Sequence, residues 1–367
     1  MLFVVATICT LYIGTSILFL KKPYLIRSAR KRRHVFDQRV HISHRGGAGE
    51  RLENTLTAFR HAMSAGTDML ELDCQISADN QVVVAHDPDL LRTCGVNASI
   101  NDLKYHELPE LQLNPQNEFH RNYLNQSDRR IPLLREVFSE FRDIPINIDV
   151  KTENPSLLKE VHSIIKEFNR EDNVVWGNFR ETVCRECYAT DDNIALLFSL
   201  KRVAFVYLAF YLGFLPFVQL KEHFFEIPMV RVLRLPPFNW NPKWWQGAIL
   251  DVLDNLMMSK MLFEHLKKRG IDVYIWVLNR ETDWDRAFGL GASGVMTDYP
   301  TKLADYLRER EHVQTLFSDM LGRSSVASSA YANNQTRNDP ALRKRKCKVN
   351  QELKNTGIML EVKNLEF

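Results

Sequence analysis

The sequence predicts a (β/α)₈ barrel, on two observations. From residue 40 onward short apolar segments alternate with amphipathic stretches, the pattern of parallel βα units. The apolar segments number eight, and the roughly 250 residues such a barrel needs fit inside a chain of 367. The strand candidates are residues 40–43, 69–74, 82–86, 146–150, 174–177, 194–198, 273–277 and 294–297. Between them, residues 55–65, 133–141, 157–168 and 252–269 carry apolar positions at helical spacing. Asn54 is placed to cap the first of these helices and Gly270 to stop the last. Residues 114–130 are polar and read as a long βα loop, and 225–246, with its Pro and Trp residues, as irregular structure.

The barrel is flanked by segments of other character. Residues 1–20 hold no charged side chain and end at Lys21-Lys22. Twenty helical residues span about 30 Å, the thickness of the hydrocarbon layer. A cleaved signal peptide carries its charge before a shorter apolar run, so 1–20 is expected to be a transmembrane anchor and 21–39 a basic juxtamembrane segment. The positive-inside rule puts the catalytic domain, residues 40–312, on the cytosolic side. A second apolar stretch at 203–220, with its core at 203–218, is interrupted by Gly213 and Pro216. It is too short for a span, and is expected to be a membrane-contacting insertion, or else to pack on the barrel. Following the sixth strand candidate, it should rise from the active-site face. Residues 313–367 turn rich in Ser, Ala and Asn with a basic cluster, and are expected to be a disordered tail.

Charge and cysteine usage exclude some classes. The net charge is +3, yet residues 1–40 alone carry eight Lys or Arg against Asp37, a local +7 that leaves −4 for the remainder. A basic anchor flank is not a nucleic-acid surface, so no nucleic-acid partner is expected. Six cysteines make no disulfide framework, and Cys184-x-x-Cys187 lacks a second pair for zinc.

The residues that carry chemistry sit at strand ends, and the C-terminal strand ends of an α/β barrel share one catalytic face. His44 and Arg45 close the first candidate strand, Glu71 and Asp73 lie on the second, His86 closes the third, and Asp149 and Lys151 close the fourth. Residues two apart on a strand point the same way. Glu71, Asp73 and Asp149 therefore offer oxygen ligands for one divalent cation, Mg²⁺ in the first place, with Ca²⁺ or Mn²⁺ as alternatives. Arg45 and Lys151 suit a phosphate, and His44 with His86 suit general acid–base work on a phosphodiester.

The order of these motifs resembles the glycerophosphodiester phosphodiesterase family. The matching stretches are His44-Arg45-Gly46, Glu53-Asn54-Thr55, Glu71-Leu72-Asp73, His86-Asp87, 275–279 (IWVLN) and 294–300 (GVMTDYP). The resemblance implies that the two histidines are the acid–base pair, that Glu71 and Asp73 bind metal, and that Arg45 and Lys151 contact phosphate. The family's third metal carboxylate is usually Glu; here Asp149 stands in that place, one methylene shorter.

The anchor, the Gly46–Glu50 loop and the second apolar run resemble the family's membrane-anchored lysophospholipase D branch. That implies hydrolysis of lysophospholipids, N-acyl lysophosphatidylethanolamine included, to lysophosphatidic acid plus a headgroup alcohol or N-acylethanolamine. Trp276 is then expected to contact substrate. The expected location is the endoplasmic reticulum or perinuclear membrane. Two alternatives remain open: hydrolysis of soluble diesters such as glycerophosphocholine, and a catalytically silent membrane-tethered scaffold. The sequence does not give an oligomeric state.

Overall fold

Eight parallel strands form the barrel wall: β1 (Val40–Ser43), β2 (Met69–Ile76), β4 (Ile146–Val150), β5 (Val174–Gly177), β6 (Ala195–Leu196), β7 (Phe224–Pro228), β8 (Asp272–Trp276) and β9 (Gly294–Thr297). In space they run β6-β5-β4-β2-β1-β9-β8-β7, and a parallel bridge between Leu197 and Phe224 joins the two ends. The computed structural model describes residues 2–26, 39–113, 128–235 and 240–313. Most of the basic 21–39 stretch, nearly all of the polar 114–130 loop and the tail beyond 313 therefore lie outside the described residues. Residues 1–307 form one compact unit and 308–367 another; the barrel wall and the N-terminal apolar helix belong to the first.

Two sequence expectations about the strands were wrong and offset each other in the count. Residues 82–86 do not form a barrel strand: β3 (Val82–Val84) pairs antiparallel with β2 as a hairpin outside the wall. The eighth wall strand is instead β7, within the stretch read as irregular. A charged residue at its centre, Glu226, and a proline at its end, Pro228, hid an otherwise apolar five-residue run.

The helices alternate with the strands: α2 (Leu56–Ala65), α3 (Leu134–Glu140), α4 (Pro155–Glu167), α5 (Glu181–Thr190), α6 (Leu200–Tyr211), α7 (Trp244–Met257), α8 (Lys260–Lys268) and α9 (Glu281–Gly289). Most bury an apolar stripe, as α4 does with Leu157, Val161, Ile164 and Ile165. Thr55, not Asn54, caps α2, its hydroxyl accepting from the Ala58 N–H at 3.1 Å. Asn54 adopts φ 58° and turns its amide toward the barrel interior. The single helix expected at 252–269 is two, α7 and α8, because Ser259 starts a new helix by accepting from the Leu262 N–H. Gly270 follows α8 with φ 78°, the left-handed stop its lack of a Cβ allows.

The N-terminal helix α1 (Leu2–Lys21) is long and apolar enough to cross a membrane. It buries Ser16 and Leu20 and leaves most other side chains exposed. The second apolar run forms α6 and a short 3₁₀ turn, Leu215–Phe217, with Val203, Val206, Ala209, Phe210 and Leu215 buried. It starts at the catalytic end of the barrel, where Ser199 caps it, but it does not rise from that face. A helix joining two parallel strands must run back against them, so the exposed apolar residues Leu208, Tyr211, Leu212 and Phe217 lie toward the opposite end.

Candidate active site

Strand alternation decides what enters the barrel. An apolar layer of Val40, Ile42, Met69, Val175, Phe224 and Tyr274 fills the interior below the mouth. One step further along β2, β7 and β9 the inward positions become charged: Met69 is followed by Glu71 and Asp73, Phe224 by Glu226, and Met296 by Asp298, while Tyr274 is followed by Trp276. The register of β2 and β4 sets Glu71 beside Asn147 and Asp73 beside Asp149. The result is a cavity of about 200 Å³ lined by His44, Arg45, Glu71, Asp73, His86, Asn147, Asp149, Lys151, Asn178, Glu226 and Trp276. Every site residue expected from the sequence is among them.

His44 and Arg45 stand on a tight turn after β1, with Arg45 at φ 51°. A non-glycine residue held there costs about 1–3 kcal/mol, a strain typical of functional sites. The turn aims the Arg45 N–H at Glu71 Oε2, 2.7 Å away, while its guanidinium reaches Glu53 at 3.1 Å and lies 3.4 Å from Asp73. Gly47 follows because a Cβ there would stand 2.6 Å from the Pro300 ring, at a φ of +96°. His86 comes from the loop beyond β3 rather than from a barrel strand, and the Gln75 amide holds its carbonyl at 3.0 Å.

Each histidine donates its Nδ1 proton to an aspartate: His44 to Asp298 at 2.7 Å, His86 to Asp87 at 2.6 Å. A carboxylate can only accept, so Nδ1 carries the proton and each ring keeps Nε2 for chemistry. Asp298 is held by the Asn279 amide at 2.8 Å. Asp87 pairs with Arg92, which also grips Glu53 at 2.7 and 2.9 Å. Glu53 thus links the His86 side of the mouth to Arg45. Lys151 Nζ stands between Asp73 and Asp149, at 2.7 and 2.6 Å. Asn54 donates to Asp73 at 2.9 Å, Asn178 to Asp149 at 2.5 Å, and Asn147 to Glu226 at 2.7 Å.

These neighbours split the protonation states. Burial pushes Glu71 up to about 7, reinforced by the charge of Asp73. Burial would raise Asp73 too, but Lys151 and Arg45 outweigh it and bring it down to about 2. Burial would lower His44, yet the charges of Glu71 and Asp298 leave it above 6.5. Burial lowers His86 below 6.5, the charge of Asp73 offsetting only part of it. The two rings are therefore poised on opposite sides of their ordinary value.

The chain matches the family model described as glycerophosphoryl diester phosphodiesterase over residues 44–302. It belongs to that family. The human protein named lysophospholipase D GDPD1 is 50% identical over 297 residues, covering 81% of this chain and 94% of that one. The mouse protein named lysophospholipase D GDPD3 is 36% identical over 306 residues, covering 82% and 90%. Among solved structures, the glycerophosphoryl diester phosphodiesterase domain of a Mycobacterium tuberculosis protein aligns with a TM-score of 0.58 at 15% identity, covering 74% of this chain and 99% of that domain. An Oleispira antarctica phosphodiesterase in complex with sn-glycerol-3-phosphate aligns with a TM-score of 0.52 at 20% identity, covering 74% and 98%. The fold is thus that of the glycerophosphodiester phosphodiesterases, and the catalytic class is phosphoric diester hydrolysis.

Several residues of this phosphodiesterase mouth escaped the sequence reading. Asp298 lay inside a recognised motif without a role, although it follows the inward Met296 by two positions. Glu226 was hidden with its strand. Asn54 stands in a recognised motif but reads there as a helix cap rather than a partner of Asp73, and Asn147 and Asn178 give no signal, since a lone asparagine near a strand end is usually a turn residue. A divalent cation of the kind the resemblance implies would meet only oxygen donors at Glu71, Asp73 and Asp149. Among the described residues no three His, Cys, Asp or Glu groups converge as a ligand set. The Lys151 ammonium instead supplies the positive charge between Asp73 and Asp149.

Proposed function

We propose that this phosphodiesterase cleaves lysophospholipids on the headgroup side of the phosphate, releasing lysophosphatidic acid and an alcohol. N-acyl lysophosphatidylethanolamine falls within the class, with N-acylethanolamine as its alcohol product. The observation that carries the reading is the composition of the mouth. The mouth combines the two His–Asp pairs and the cations Arg45 and Lys151 with an apolar part of its lining, Phe179, Leu197, Phe198, Trp276 and Met296, in which the Phe179 and Trp276 rings are 5.2 Å apart. A glycerophosphocholine-sized diester has no use for that apolar wall, whereas a monoacyl chain does. The 50% identical relative's name points the same way.

In this mechanism Arg45 and Lys151 hold the phosphate oxygens. His86, the ring with the lowered proton affinity, takes on Nε2 a proton from the water whose oxygen bonds to phosphorus. His44, the ring with the raised affinity, gives its Nε2 proton to the departing alcohol as the phosphorus–oxygen bond to the headgroup breaks. Glu71, Asp73 and Asp149 would hold a divalent cation, Mg²⁺ in this proposal, which neutralises charge developing on the phosphate. The basic residues after α1 support a membrane-anchored enzyme with its barrel on the cytosolic side, and the membrane we propose for it is that of the endoplasmic reticulum or perinuclear region.

The test is direct. Full-length protein with Mg²⁺ is given lysophosphatidylcholine and glycerophosphocholine side by side, together with the His44→Ala variant. Preferred turnover of the lysolipid that His44→Ala removes is expected. Preference for the soluble diester would transfer the proposal to that substrate, and no turnover of either would end it.

A further inference from the structure

We propose that α7 lies in the hydrocarbon margin of the bilayer that α1 crosses, so that its outer face and the end of α6 fix the barrel to the membrane beside the anchor. The proposal rests on reading α1 as a membrane span, and adds a surface that this reading does not require.

The face of α7 turned to the protein is not a continuous apolar stripe. Of its fourteen residues only Leu250 and Asp254 are buried. Asp254 accepts from the Arg231 N–H at 3.0 Å and pairs with Arg286, and the exposed Asp251 is held by Arg234 at 2.9 Å. The outward face consists of Trp244, Trp245, Ile249, Val252, Leu253 and Leu256, all exposed, Trp244 at 85%. A helix on a water-facing barrel has the reverse arrangement. A contiguous apolar face of this kind marks a contact with lipid or protein.

Its connection to α1 selects lipid. Tyr211 Oη donates to the Leu256 carbonyl at 2.6 Å and Tyr207 Oη to the Met257 carbonyl at 2.8 Å, binding the end of α7 to α6. Tyr12 Oη donates to the Leu212 carbonyl at 2.5 Å, binding the end of α6 to the middle of α1, and Phe19 packs edge-on against Phe217. Lys268 Nζ donates to the Lys21 carbonyl at 3.2 Å, which sets α8's basic end where α1 leaves the membrane. Tyr12 precedes Lys21 by nine residues, about 13 Å along a helix. With α1 upright, that is deep in a leaflet whose hydrocarbon half-thickness is about 15 Å. The Leu212 carbonyl, satisfied by Tyr12, can enter that layer without an unmet hydrogen bond. Leu256, one tyrosine away, follows it in. Trp244 and Trp245, behind Lys243 at the other end of α7, are the residue type favoured at the interface.

The experiment uses the full chain in phosphatidylcholine vesicles whose acyl chains carry bromine, which quenches nearby tryptophan. Wild-type emission is expected to be quenched, and in a Trp240→Phe background the Trp244→Phe/Trp245→Phe variant is expected to lose most of the quenched fraction, because Trp240 is also exposed while Trp176 and Trp284 are buried in the core. A photo-crosslinking residue at Ile249 is expected to capture lipid. Quenching that ignores the double substitution overturns the proposal, as does capture at Ile249 of a second copy or of residues 314–367. Carbonate-resistant membrane association without bromolipid quenching would leave α1 as the sole anchor and also overturn it. Turnover is not read in these assays, so this proposal and the catalytic one fail separately.

Discussion

Asp298 accepts a 2.7 Å hydrogen bond from Nδ1 of His44, and its other oxygen accepts from Asn279 at 2.8 Å. The Asn279 carbonyl oxygen also receives the Asp298 N–H at 2.9 Å and the Thr297 hydroxyl at 3.1 Å, so its amide orientation is fixed. Asp298 thereby sets both the tautomer and the angle of the His44 ring. Asp298→Asn removes the charge while keeping the shape. With proton transfer worth about 10²–10⁴-fold, kcat is expected to fall within that range while KM changes little. Steady-state kinetics on a lysolipid decide it; an unchanged kcat would remove Asp298 from this role.

The opposed shifts of the two histidines set the pH profile. The base, His86, must be neutral, and its pKa lies below 6.5, so activity rises as pH climbs through that lowered value. The acid, His44, must be protonated, and its pKa lies above 6.5, so activity falls as pH climbs through that raised value. A bell with its optimum near neutrality is the expected profile. Asp298→Asn removes a cause of the upper shift and should move the falling limb to lower pH, leaving the rising limb in place. A shift of both limbs would mean that the rings do not divide the work in this way.

Legibility in the sequence depended on which signals are local. His44, Arg45, Glu71, Asp73, Asp149 and Lys151 could be placed because each sits at or next to a strand whose apolar residues mark it, and alternation then orients the side chain. His86 was correctly placed in the mouth for a wrong reason: β3 is a hairpin arm, and Gln75 and Asp87 position the ring. The Glu53–Arg92–Asp87 link joins residues up to 39 apart in the chain, and no periodicity reports such a pairing. Glu226 was lost because a buried carboxylate makes a core strand look like a loop. In the structure it is tolerated through one hydrogen bond from Asn147 and a proton that burial and Glu71 keep bound well above the usual range.

Asn178 provides a test of the cation site from outside its carboxylates. Its amide donates to Asp149 Oδ1 at 2.5 Å while Lys151 takes Oδ2, so it fixes the orientation of the Asp149 carboxylate. Residues that orient a metal ligand typically contribute about 10–100-fold in metal affinity. Asn178→Ala is expected to raise the Mg²⁺ concentration for half-maximal turnover by about that factor, with chelation silencing both proteins. A Mg²⁺ titration that overlays the wild type would separate Asn178 from the cation.

Glu71 should lower the stability of the metal-free protein at alkaline pH. Its folded pKa is about 7, against 4.5 for the ordinary side chain. A group whose folded value is raised binds its proton more tightly when folded, so its contribution is most favourable below pH 4.5 and declines until pH 7 is passed. The loss is about 3 kcal/mol, because the ionised carboxylate is buried next to Asp73. Glu71→Gln removes the ionisation and keeps an oxygen to accept the Arg45 N–H now bound at 2.7 Å. In the presence of chelator the variant should be more stable than the wild type at pH 8, by an amount that shrinks toward zero as pH falls to 4.5. It should also be inactive at every pH. Denaturant unfolding at the two pH values measures the difference directly. Equal stabilities at pH 8 would show that Glu71 carries no buried charge there.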